Sequence, residues 1–375
     1  IEEINVGFGS CLMQSKLTPH ERQGYRPYRV LTQLVQHKLD GFIFMGDQVY
    51  ADFPDFYSSG CCPKPPFPKC DVQCFENGTI GSSAHLDGQY RLLLDDVHFA
   101  GFVKRVPSVF TWDDHELFDN YREGKQHVHY ARARDAFERH LANAFNPPPY
   151  RHGEMYFVHK LPGPPDEALA EFFVLDGRSH RSDAGILGED QIRDLQAWLG
   201  TPSKARWRFI VSSTMFAEVA GDVGSDNWSL HAKEKRRVLG HIFDAGVEGV
   251  VLLTGDAHFV AVVDHRMTRA SGTCSILELA SSPLASVPLR PKRQPGFYTG
   301  SSRGFDEKVV FLQSGAHLYA TARLNTTTAV VRFWRYSEGG PGSSLGSETL
   351  LHEVAISRQP ACQVPADRFH HTREL

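Results

Sequence analysis

The chain has 375 residues, enough for one large domain or two ordinary ones. Its 41% hydrophobic and 22% charged composition excludes wholesale disorder, and a net charge of −4 leaves no basic footprint for nucleic acid. No run approaches the ~18 apolar residues of a membrane helix; the longest, such as residues 249–253, have strand length.

In chain order, residues 6–8 read as a strand. Residues 25–36 read as a helix by the spacing of Val30, Leu31, Leu34 and Val35, and residues 41–45 follow as a buried strand. A helix over 90–103 leads to a strand at 108–112. Residues 126–144 are helical until Pro147, Pro148 and Pro149 stop them. Residues 156–161 and 171–175 pair as strands. A helix at 190–199 precedes a strand at 207–211, and a helix at 230–245 precedes a strand at 249–253. Strands then dominate, at 260–264, 275–279, 309–313, 329–336 and 350–355, with 339–346 as a hairpin loop. Helix–strand alternation with extra strands predicts an α/β protein with two sheets flanked by helices. No linker divides it, so residues 1–375 are expected to form one domain. The polar tail, 359–375, is expected to wrap the surface.

Seven cysteines and three glycosylation sequons speak to the compartment. Cys61, Cys62, Cys70 and Cys74 crowd into a Pro-rich loop, and Cys274 and Cys362 lie far downstream. Adjacent Cys61 and Cys62 do not give the spacer of a structural zinc site, so disulfides are expected, hence an oxidising compartment. The expected pairing joins Cys274 to Cys362 and the four loop cysteines among themselves. The sequons are at Asn77, Asn227 and Asn325. With a strand already starting at Val6, a mature secreted chain without its leader is expected. Cys11 is left over, either as a buried thiol or as a thiol with a task.

Chemistry gathers where strands end, the usual ligand position in α/β sheets. Cys11 follows the first strand, and Gly46-Asp47-Gln48-Val49-Tyr50 with Asp52 follow the second. Asp113, Asp114, His115 and Glu116 follow the third. Later strands end in Asp176-Gly177-Arg178 and in Gly255-Asp256-Ala257-His258. One such Asp is often a helix cap. Five in one chain indicate a convergent metal site. Thiolate, phenolate, carboxylate and imidazole suit a redox-range transition ion, preferably trivalent, because the phenol and thiol must lose protons. An all-oxygen set suits calcium, magnesium or manganese. Two ions sharing a carboxylate are the arrangement of phosphate-ester hydrolysis.

Together with Gly9-Ser10-Cys11 and Leu187-Gly188…Gln191…Trp198-Leu199, these motifs resemble the alkaline phosphatase D, or PhoD-type, metallophosphatases. The Gly-Asp-x-x-Tyr element is also similar to purple acid phosphatases. The resemblance runs in family order from residue 6 to about 260. It implies a four-layer αββα core with iron(III) and calcium. By this resemblance Cys11, Tyr50 and His258 ligate iron, and Asp47 bridges the metals. Asp114 and Asp256 hold the second metal, with Asp113 or Asn120 adding an oxygen. Asp113 has a second role open to it, as an acceptor behind the ligands. The chain departs from bacterial members by starting at the first core strand and by its Cys-rich loop at 53–83. That loop is either a lid over the site or a glycosylated surface excursion.

The expected activity is that of a secreted phosphomonoesterase in which a metal-activated hydroxide attacks phosphorus in line. Arg178 is expected either to clamp phosphate oxygens or to form an ordinary surface ion pair. His115 is expected either to protonate the leaving group or orient the phosphate, or else to hold an aspartate. A phosphodiesterase or phospholipase D-like activity is the alternative at the same centre. A catalytically silent metal- or phosphate-binding protein is the alternative from another class.

Overall fold

The computed structural model describes residues 2–13, 28–52, 81–162, 168–203, 205–218, 226–269, 272–286, 298–299, 306–338, 346–358 and 369–374. Cys61, Cys62, Cys70, Cys74, Cys362, Asn77, nearly all of the 53–83 loop and most of the tail lie outside them.

Three parallel strands open the first sheet: β1 (Glu3–Gly9), β2 (Gly41–Met45) and β3 (Ser108–Thr111). β12 (His317–Asn325) runs antiparallel to β1 and continues into β13 (Thr328–Ser337), β14 (Ser347–Ser357) and β15 (Phe369–Glu374), completing seven strands. In the second sheet β5 (Ala168–Val174), β6 (Trp207–Ser212), β7 (Val250–Thr254) and β9 (Gly272–Ser281) are parallel. β4 (Phe157–Pro162) flanks β5. β8 (Val260–Arg269), β11 (Asp306–Gln313) and β10 (Tyr298–Thr299) extend the other edge to eight strands.

Alternation along the strands dictates the layers. Ile43, Met45, Val109, Phe172, Val174, Phe209, Val211, Val251 and Leu253 meet in one apolar layer between the sheets. The intervening residues point outward. Phe42, Phe44 and Phe110 pack under helices α1 (Arg29–Leu34), α2 (Ser83–Asp95), α3 (Val97–Val103) and α4 (Tyr130–Phe137). Phe173, Ile210 and Leu252 pack under α5 (Gly188–Gly200) and α6 (Ala232–Ala245). Strands buried on both faces need continuous apolar runs, which GFIFM of β2 supplies. Each fully buried Phe or Leu contributes about 1.5–3 kcal/mol. This is the αββα sandwich the sequence predicts.

Local differences have local causes. The helix expected over 90–103 is two, because the Asp96 carboxylate accepts the His98 and Phe99 backbone N–H groups at 2.8 and 3.1 Å and starts α3 afresh. The helix expected over 126–144 begins only at Tyr130 and widens into a π turn over Glu138–Ala142. Within the tail, Phe369–Glu374 form β15, an edge strand paired with β14.

Candidate metal centre

All the parallel strands of the first sheet, together with β5 and β7, deliver their C-terminal loops to one place. Ser10 and Cys11 follow β1, the Gly46–Asp52 loop follows β2, and the Trp112–Asn120 loop follows β3. The 46–52 and 112–120 loops touch closely at Gly46, whose φ is +95°. A Cβ there would lie 2.5 Å from the Cβ of Asp113. Six non-glycine residues among those described adopt positive φ, and five are Cys11, Asp47, Asn120, Asp256 and His258. Left-handed backbone at bulky residues costs energy and concentrates where side chains are aimed for function.

Cys11 Sγ, an Asp47 oxygen and a His258 nitrogen lie within 4.8 Å of one another. Tyr50 Oη is 3.4 Å from Asp47 Oδ2 and 3.3 Å from His258 Nε2. Asp47, Asp113, Asp114 and Asp256 form a second group within the same limit, and Asp47, Asp114 and His115 a third. Asp47 belongs to all three. The candidate residues of both expected subsites are therefore together, with Asp47 between them. Asn120 joins through its backbone N–H, which donates to Asp114 Oδ2 at 2.6 Å.

Electrostatics show what the cluster suits. Two carboxylates 4.8 Å apart repel by about 3 kcal/mol at an effective dielectric of 20. Burial, and then the neighbouring carboxylates, push Asp47 and Asp256 well above the ordinary range, and Asp113 up to about 6. Burial also raises Asp114, but Arg178 and His115 overcome it and hold this group down to about 2. Burial raises the Cys11 thiol and Tyr50 phenol, reinforced by Asp47. Asp47 Oδ1 and Asp113 Oδ2 are buried without a hydrogen-bond partner. Orphaned carboxylate oxygens aimed into one cluster of like charge, beside a thiol, a phenol and an imidazole, fit bound cations.

Of the two readings of Arg178, a phosphate clamp and a surface ion pair, the structure shows ion pairing, but in the interior. It is fully buried, and its Nε donates to Asp113 Oδ1 at 2.5 Å. Both its Nη groups donate to Asp226, and Nη2 lies 3.4 Å from Asp114 Oδ1. Three carboxylates occupy the guanidinium, so it orients Asp113 and Asp114. His115 Nδ1 is 2.8–2.9 Å from both Asp52 oxygens, and its ring stacks on Tyr50 at 4.2 Å. Burial works against its charge, but Asp52, Asp114 and Asp47 outweigh it and raise the imidazole well above its usual value.

Two supporting residues had no assigned role in the sequence. Glu116 accepts the backbone N–H groups of Asp47, Gln48, Val49 and Asp113 at 3.0, 2.6, 3.3 and 2.7 Å, tying the β2 and β3 loops together. Its place beside Asp114 and His115 was the available signal. Asp226, the partner of Arg178, belongs to none of the strand-end motifs read in the sequence.

Outside the cluster, Asn227 is 8% exposed, and its Oδ1 accepts the Ser229 N–H at 2.9 Å. The Asn227 sequon therefore lies at a buried helix cap. Asn325 sits at the β12–β13 turn with a partly exposed side chain. Cys11 is a free, buried thiol, whereas Cys274 is disulfide-bonded.

Residues 9–332 match the family model of the PhoD-like phosphatases. Alkaline phosphatase D of Bacillus subtilis (strain 168) is 25% identical over 291 residues, covering 69% of this chain and 46% of that protein. The chain thus spans about half the length of this curated relative. The solved structure of PhoD superposes with a TM-score of 0.69 at 17% identity, covering 100% of this chain and 72% of that one, and so shares the fold. With the match extending from the Cys11 loop through β12, the chain belongs to the PhoD-like phosphatase family.

Proposed function

We propose that this chain is a secreted, metal-dependent phosphomonoesterase forming one catalytic domain. The observation that carries the activity is the convergence of Asp47, Asp113, Asp114 and Asp256 beside Cys11 and His258, with orphaned oxygens among them. In this account Cys11, Tyr50, His258 and Asp47 hold iron(III). Asp47, Asp113, Asp114, Asp256 and Asn120 serve the second ion, calcium. Bound cations neutralise phosphate oxygens and acidify water, which supplies hydroxide near neutral pH. The chain's residues do the rest. Glu116 and Arg178 fix the aspartates. Asp52 orients His115 through Nδ1, and this imidazole is the proton donor proposed for the departing alkoxide. Secretion is supported by the disulfide at Cys274 and the partly exposed Asn325 sequon.

Rates on a monoester and a bis-ester of one chromogenic phenol test the activity, with protein purified without chelators. A faster monoester is expected. Turnover of the bis-ester alone makes the chain a diesterase, and turnover of neither leaves a binding protein. Iron at Tyr50 has a separate readout. Tyr50→Phe should abolish a visible phenolate-to-iron band and most activity while leaving the fold intact. A wild-type spectrum in that variant removes Tyr50 from the iron shell.

A further inference from the structure

Glu116 ties together two of the loops that the first sheet sends to the metal centre. The second sheet sends loops of its own. Ser213 follows β6, and Gly255 to His258 follow β7. Ser213 Oγ donates to Asp113 Oδ1 at 2.7 Å, and the Ser213 carbonyl oxygen accepts the Gly255 N–H at 3.1 Å. The Met215 carbonyl oxygen accepts the Trp228 N–H at 3.0 Å, two residues beyond Asp226. Asp226 holds Arg178, and Arg178 holds Asp113. Asp256 stands two residues after Thr254, the last residue of β7. Both loops therefore bear on the aspartates of the second group.

Irregular backbone at a buried site needs partners for its polar groups. Glu278, a buried residue of β9, supplies them. Its Oε1 accepts the Phe216 N–H at 2.9 Å and the Thr254 hydroxyl at 2.8 Å. Its Oε2 accepts the Ala217 N–H at 2.9 Å and lies 2.8 Å from His265 Nε2. Four partners fill the acceptor sites of one carboxylate. Behind it, His265 of β8 stands between Glu278 and Glu307 of β11, with Nδ1 3.7 Å from Glu307 Oε1. Glu307 accepts the Glu218 N–H at 2.9 Å and pairs with Lys235 of α6. Lys235 Nζ donates in turn to the Phe216 carbonyl oxygen at 2.6 Å. Three successive N–H groups, at 216 to 218, thus end on two buried carboxylates. Removing one partner from such a set strands the others.

We propose that Glu278 is a positioning residue for the second cation. It fixes the β6 and β7 loops to each other and so holds Asp113 and Asp256 at one spacing, as Glu116 does for the loops of β2 and β3. Resting on the two-ion reading above, this role is exerted through Thr254 and the 213–217 segment. The four partners of the carboxylate lie outside the candidate ligand set.

Glu278→Gln probes it sharply. Each carboxylate oxygen faces one backbone N–H, so the amide nitrogen meets a donor whichever way it turns. Thr254→Val removes only the contact to β7, at nearly constant volume. Calcium, magnesium and manganese are titrated calorimetrically into the iron-loaded wild type and both variants after the second site has been emptied with chelator. The phenolate-to-iron band is recorded on the same samples. Glu278→Gln should bind the ion that the wild type binds best roughly ten- to hundred-fold more weakly, with a smaller loss in Thr254→Val. The band should keep its position and intensity, because Cys11, Asp47 and Tyr50 follow strands of the first sheet. Affinity within about two-fold of wild type in both folded variants would overturn the proposal. So would a band that fades in step with the second ion, since a general loss of structure weakens both sites together. Should Glu278→Gln fail to fold, wild-type affinity in Thr254→Val overturns the proposal and a weakened one supports it. A wild type that binds none of the three ions refutes the two-ion reading and this role with it. Unchanged variants beside a wild type that does bind refute this role alone.

Discussion

At Glu116, one carboxylate accepts four backbone N–H groups drawn from two loops. Glu116→Gln keeps the shape but replaces an acceptor oxygen by a donor, setting N–H against N–H. The expected cost is about 2–4 kcal/mol of stability, with a fall in kcat as Asp47 and Asp113 lose their fixed spacing. Thermal melts and steady-state rates on one preparation check it, and wild-type values for both would show the hub to be dispensable. Residue types alone made the ligand candidates legible, because Cys, Tyr, Asp and His at strand ends have few structural reasons to gather. Orientation was not legible. Arg178 and Arg181 look alike in sequence. Only the fold reveals that the first is enclosed by Asp113, Asp114 and Asp226 and that the second has donors to spare.

Elements with strong apolar character were readable, as in GFIFM of β2 and VVLLT of β7. β12, HLYATARLN, was not, because its two alanines dilute the strand signal of Leu, Tyr and Thr even though most of the strand is buried. Its identity comes from long-range pairing with β1 and β13, which no local window contains. The break between α2 and α3 is local and rests on one side chain. Asp96→Ala removes the cap of α3 and should cost about 1 kcal/mol without altering kcat, since α3 packs on the outer face of the first sheet, under Phe42 and Phe44. Chemical denaturation combined with an activity assay checks this. A stability unchanged to within a few tenths of a kcal/mol would mean that the cap contributes nothing.

For the whole molecule, the buried carboxylates make folding and cation binding one problem. Asp113, at about 6, binds its proton more tightly folded than unfolded. The stability this adds is complete below the unfolded value near 4 and is lost as pH rises through about 6. Asp114, held at about 2, has the opposite sign, and its contribution fades only in stronger acid. Metal-stripped protein should therefore lose about 1.4 kcal/mol from Asp113 between pH 5 and 8, and cations should remove most of that slope. Unfolding titrations with and without added metal measure it. A stripped protein that gains stability over this interval would contradict the charge balance described for the cluster.

Asp47 is common to all three groups of ligand atoms, so its replacement tests the centre most directly. The measurement is kcat/KM for a chromogenic phosphate monoester, comparing wild type with Asp47→Asn, both purified without chelators. Asparagine keeps the volume and one oxygen but removes the charge that both sets of ligands share. The account predicts hydrolysis by the wild type and a loss of about a thousand-fold or more in a folded variant, as befits a group the reaction depends on. An Asp47→Asn enzyme working within a few-fold of wild type would contradict it.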